Sequence, residues 1–194
     1  MGALTLRHTV VVVALLNLAY FGIEFAVALS IGSVSLFADS ADFLEDASIN
    51  GLIALALGWS ARRRAAVGLV LALLLLVPGV ATAVMAWHQF MAAAPPDAVL
   101  LSATGLGALA VNLACALLLV RVRGQAGSLG KAAFLSARND VLADVAIVAA
   151  GAVTAATGSI WPDLAVGIAI GLLNADAARE VWQAARAERR DARP

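Results

Sequence analysis

Four carboxylates fall within eight consecutive positions of this chain: Asp39, Asp42, Glu45 and Asp46. They lie inside an apolar run long enough to cross a bilayer. A second acidic pair, Asp140 and Asp144, sits in another such run, with Asn139 beside it. A carboxylate held at the bilayer centre costs about 2.5–3.5 kcal/mol on insertion scales. A chain that carries several must pair them, protonate them or neutralise them with a cation. That requirement constrains the fold and the function together.

Composition supports the membrane reading. The chain of 194 residues is 62% hydrophobic and 13% charged, with a mean hydropathy of +0.93. Soluble domains are about 45–50% apolar and about 25% charged. The net charge is zero and no basic stripe is interleaved with aromatics, so nothing points to nucleic acid. One cysteine, Cys115, excludes an intrachain disulfide and a cysteine metal cluster. It lies in an apolar run and reads as core or lipid-facing packing.

The pattern predicts an all-α polytopic membrane protein with six helices, in one transmembrane domain over residues 1–194. The spans run over about residues 9–30, 34–59, 66–90, 99–120, 132–157 and 163–183. A kink is expected at Pro78 and Gly79. Ala26 and Ala28 have the small-x-small spacing of a signal-peptidase site, but the first run is long and Glu24 sits just before it, so it reads as a retained helix. Basic residues sort to one side: Arg7, Arg62 to Arg64, Arg121, Arg123, Lys131 and the C-terminal arginines. The other three connections contain none. The positive-inside rule places both termini in the cytoplasm. Trp59, Trp87, Trp161 and Trp182 fall near helix ends, where interfacial anchors belong. The localisation is a multi-pass cell membrane, read as a bacterial inner membrane.

Helices two and five share the pattern Asp-x-Leu-x-Asp-x-x-Ile, beginning at Asp42 and at Asp140. Two helix triplets of opposite orientation suit an inverted repeat with a midplane site. Residues four apart share a helix face, so Asp42 with Asp46 and Asp140 with Asp144 form two vertical pairs. Depth arithmetic puts Asp42 and Asp140 about 12 Å from opposite surfaces, and Asp46 and Asp144 about 18 Å. Asp42 then stands level with Asp144, and Asp46 with Asp140. A cation site that exchanges with protons satisfies this arrangement. The alternative is a set of protonated carboxyls that bond helix to helix. Arg138 lies about two turns from the cytoplasmic end and reads as snorkelling.

These residues resemble those of the cation diffusion facilitator, or cation efflux, family. The resemblance covers about residues 10–190. It is carried by Asn17 and Glu24; by the run from Gly32 and Ser33 through Asp39 and Asp42 to Asp46; by Ser136 to Asp140; and by Trp161 to Asp163. It implies six helices, a divalent-metal site between helices two and five, and metal efflux in exchange for protons. By position, Asp42, Asp46 and Asp140 match the family's metal ligands. The family's usual histidine falls on Ser136, a poor ligand. Asp144, one turn on, is expected to replace it, with Asn139 a weaker candidate. The metal site is thus expected at Asp42, Asp46, Asp140 and Asp144, with Asp39, Glu24, Ser136 and Asn139 as accessories. A carboxylate-only site is hard, which favours Mn over Zn; Zn, Mn, Fe, Co and Cd stay open as substrates. The family commonly carries a cytoplasmic domain after helix six, and here the chain ends about a dozen residues past Trp182, so that domain is expected to be absent. A homodimer through the membrane helices follows from the resemblance alone.

Other residues have quieter readings. Glu24 lies at the depth of Asp39 and Asp42, and lines a path or makes a structural hydrogen bond. Asn17 and Asn112 read as interhelical glue. Gly105 and Gly107 read as close helix packing. His8 and His88 read as interfacial. Asp163 suits a helix start, and Asp176 is placed to pair with Arg179 or Arg186. The chain is expected not to be an enzyme: the Gly-x-Gly-Asp signature of intramembrane aspartyl proteases is absent. The competing reading is a non-transporting membrane subunit or regulator that keeps the fold.

Overall fold

The computed structural model describes residues 6–56, 77, 79–122 and 127–191; the side chains of 127–137 and of most residues after 176 are outside the described set. It is all-helical. The elements are α1 (Leu6–Ile31), α2 (Val34–Ala56), α3 (described over residues 79–92), α4 (Ala98–Val122), α5 (Gly127–Thr157) and α6 (Trp161–Asp191). The basic loop at 62–64, the start of the third span and the expected kink at Pro78 lie outside the described residues. Helix α5 begins five residues before its expected start near residue 132.

Among the described residues three stretches are long and apolar enough to cross a membrane: Leu6–Ile31, Ala98–Val122 and Arg138–Thr157. Their buried faces mix polar with apolar residues. Helix α1 buries Thr9, Val10, Val13, Asn17, Glu24 and Ala28, which recur at helical spacing. Its large apolar side chains, Leu15, Leu18 and Ile23, point outward. Leu106, Leu142 and Leu172 on the other helices do the same. Buried carboxylates and amides beside an apolar core, with many leucines exposed, match a bundle whose solvent is lipid.

Small residues let the helices close. A Cβ on Gly105 would stand 2.9 Å from the Ile147 side chain, and Gly107 leaves room for the Tyr20 ring. Both glycines pack helices together, as the sequence reading has it. Gly167 meets backbone: a Cβ there would lie 2.6 Å from the backbone nitrogen of Ser35, so α6 touches the first turn of α2. Helix α2 is central and packs against α1, α4, α5 and α6.

The turns are built locally. Gly32, between α1 and α2, has φ 69°, a left-handed conformation that only glycine adopts without cost. Ser33 caps α2, its Oγ accepting from the Leu36 N–H at 3.2 Å. Asp97 caps α4, its Oδ1 accepting from the N–H groups of Val99 and Leu100 at 2.9 Å each. Gly158, φ 63°, ends α5. Exposed Trp87 and Trp161 flank Phe90, with ring centroids 6.3 and 6.1 Å from it. His8 and His88 are both exposed.

Candidate functional site

The acidic residues of the core divide into two groups. The first lines a cavity of about 250 Å³ between α2, α5 and α6. Asp42, Glu45 and Asp46 enter it from α2, Asn139 and Asp140 from α5, and Asn174 and Asp176 from α6. Helical register explains the grouping. Asp42 and Asp46 lie one turn apart on the face of α2 that meets α5, and of the neighbouring carboxyls Asp140 acts most strongly on Asp42. Asn174 Nδ2 donates to the Ala38 carbonyl at 3.1 Å, which fixes its amide against α2. Asp176 is exposed at the mouth and forms a 3.9 Å ion pair with Arg179. Asn139 Oδ1 accepts from Arg138 at 3.3 Å.

The second group is sealed. Glu24 from α1, Asp39 from α2 and Asp144 from α5 are each 0% exposed. The carboxyl of Asp39 is within hydrogen-bonding reach of both Glu24 and Asp144. Asn112 of α4 donates from Nδ2 to Asp144 Oδ2 at 3.0 Å, so it is interhelical glue as expected. No N–H or hydroxyl donor among the described residues meets either oxygen of Glu24 or Asp39, or Oδ1 of Asp144. Tyr20 is close, but its hydroxyl donates to the Thr104 carbonyl at 2.6 Å.

This division changes the expected register. Asp144 comes within hydrogen-bonding reach of Asp39, three residues before Asp42 on α2. Three residues are about 4.5 Å along a helix, within the offset that a tilt between two crossing helices produces. Asp144 remains one turn from Asp140 on α5, but it does not line the cavity with Asp42, Asp46 and Asp140. Asp39 and Glu24, named as accessories, join Asp144 instead. The side chain of Ser136 lies outside the described set. Among the described residues no three of His, Cys, Asp and Glu already stand in metal-ligand geometry. The cavity carboxylates stand along its walls.

One further buried carboxylate serves the frame. Asp163, in the first turn of α6, accepts from Ser33 Oγ at 2.7 Å, the Val34 N–H at 2.8 Å and the Ser35 N–H at 3.2 Å. The Ser35 hydroxyl and Gln89 Nε2 of α3 also donate to it, at 2.5 and 2.9 Å. It begins its own helix, as expected, but its oxygens cap α2 and tie in α3. A carboxylate at a helix N-terminus also meets the positive end of the dipole. Sequence spacing gives no sign of this role, because the bond joins residues 130 apart. Asn174 was legible in principle: it is the first polar side chain after the apolar run of residues 164–173.

Helices apolar enough to span a membrane, exposed leucines and a buried polar interior mark a membrane protein. Residues 10–186 match the family model described as the cation efflux transmembrane domain, and the chain belongs to that family of cation transporters. The resemblance read from its motifs is thereby shown. No curated protein sequence matches it.

Proposed function

We propose that the chain exports divalent metal cations in exchange for protons, and that Asp42, Asp46 and Asp140 hold the ion in transit. The observation that carries this reading is the cavity, where α2 and α5 bring these carboxylates to one wall-lined space. Six spans with both termini cytoplasmic, as the basic residues of the connections suggest, would set this cavity at mid-bundle.

Three carboxylates facing one cavity repel each other unless cations or protons occupy it. A divalent ion offsets two of their charges, and two protons offset the same amount. Exchange of one for the other keeps the net charge of the site unchanged in both states. Asn139 and Asn174 add neutral oxygens. Oxygen donors alone suit Mn better than Zn, which prefers imidazole or thiolate. Asp144 is left out of the ligand set, because it is bonded to Asn112 and faces Asp39.

The test is ion uptake into vesicles under a pH gradient, comparing wild type with Asp46→Ala and Asp140→Ala. Wild type accumulates the ion and both variants fail to. No flux by the wild type with any of Zn, Mn, Fe, Co or Cd would refute transport.

A further inference from the structure

We infer that Glu24, Asp39 and Asp144 form a closed proton-holding site, separate from the cavity, in which the three carboxyls share at least two protons at neutral pH. The argument is a count of donors. Three helices deliver three fully buried carboxyls to one place. Two carboxyl–carboxyl contacts join them, Glu24 to Asp39 and Asp39 to Asp144. Two carboxylate oxygens approach to hydrogen-bonding distance only with a hydrogen between them, because each is an acceptor when ionised. Two contacts therefore need two protons.

No other described group on the surrounding helices supplies the missing hydrogens. Both oxygens of Glu24 and both of Asp39 lack any N–H or hydroxyl donor among the described residues. From α1, the nearby Tyr20 spends its hydroxyl on Thr104 of α4. From α4, Asn112 donates to Asp144 alone. The remaining titratable neighbours are Asp42 on α2 and Asp140 on α5, which act through space and are carboxyls themselves. No described Lys or Arg is buried in this region. Asn112 selects the arrangement: its N–H suits an ionised Asp144, with Glu24 and Asp39 carrying the protons along the chain.

The site's protonation does not depend on the cavity being an ion site. Its use does, and this one step rests on the proposed function. Asp39 lies about one turn from Asp42, and Asp144 one turn from Asp140. A divalent ion in the cavity then favours release of a proton from the closed site, and departure of the ion favours its return.

The test is infrared absorption of the protonated-carboxyl C=O band in metal-free protein at neutral pH, identified by its shift in D2O. Wild type shows the band. Glu24→Gln and Asp39→Asn each remove part of it, while Asp97→Asn, on the exposed cap of α4, leaves it unchanged. Should either buried variant fail to fold, the triple variant Asp42→Asn, Asp46→Asn, Asp140→Asn gives the decision without them. Survival of the band there supports the closed site. Its loss there, its absence from wild type, or an unchanged band in folded Glu24→Gln and Asp39→Asn would overturn the inference. None of these readings uses metal, so a failure of transport leaves them intact.

Discussion

Removing the Asp163 carboxylate should loosen the bundle more than removing any exposed charge. Asp163→Ala deletes the acceptor for two serine hydroxyls, two backbone N–H groups and the Gln89 amide. The hydroxyls can turn to other partners. The Val34 N–H and the Gln89 amide are held by their helices and stay buried. Each orphaned buried donor costs about 1–3 kcal/mol. The lost charge at the start of α2 adds up to about 1 kcal/mol. The expected destabilisation is about 3–5 kcal/mol, the range found when a buried charged partner is removed. At about 2–4 °C per kcal/mol for a chain of this size, Tm falls by roughly 6–20 °C. Cys115 provides the assay: it is the single cysteine and is buried, so a thiol-reactive fluorogenic dye reports unfolding in detergent as the sample is heated. Asp163→Asn keeps one acceptor oxygen and should lose about half as much. Asp97→Ala, which removes an exposed cap, should cost about 1 kcal/mol. A melting curve for Asp163→Ala that overlays the wild type, or a larger effect from Asp97→Ala, would refute the capping argument.

Other substitutions probe the site and its frame. Gly167→Ala places a Cβ against the α2 backbone, which cannot yield as a side chain can; a cost of about 1–3 kcal/mol is expected in the same melting assay. Asn112→Ala removes the donor to Asp144 Oδ2 and should cost about 1–3 kcal/mol, whereas Asn112→Asp should cost more, because it sets a further carboxylate against Asp144. Mn at a hundred times its dissociation constant should stabilise the wild type by about 2.7 kcal/mol, and should leave the melting of Asp46→Ala unmoved. In competition, Mn should displace Zn from the wild-type cavity at comparable concentrations; strong Zn preference lost on Asp144→Ala would return Asp144 to the ligand set.

Much of this was legible in the sequence where chemistry and period coincide. The extents of α1, α2 and α4 lie within a few residues of those expected from run length, and the carboxylates declare themselves by their cost in an apolar run. The i, i+4 spacing places Asp42 with Asp46, and the glycines at 105 and 107 mark close packing. The two-group division was not legible. It depends on an offset of less than one turn between α2 and α5, which tilt decides and local sequence does not. For the same reason Glu24 could be given a depth but not a partner. Asp163 shows another limit: from sequence it explains its own helix start, and only folding across 130 positions reveals what else it holds. Apolar periodicity could not assign the faces, because the spanning helices are apolar on the side that meets lipid and carry their polar residues within.

The most direct test of the central claim is anomalous diffraction from crystals grown with Mn or Cd. The account predicts a single ordered ion in the cavity between α2, α5 and α6, with oxygens of Asp42, Asp46 and Asp140 at about 2.0–2.6 Å from it. An ion bound instead among Glu24, Asp39 and Asp144, or no ion between α2 and α5 at saturating metal, would contradict it.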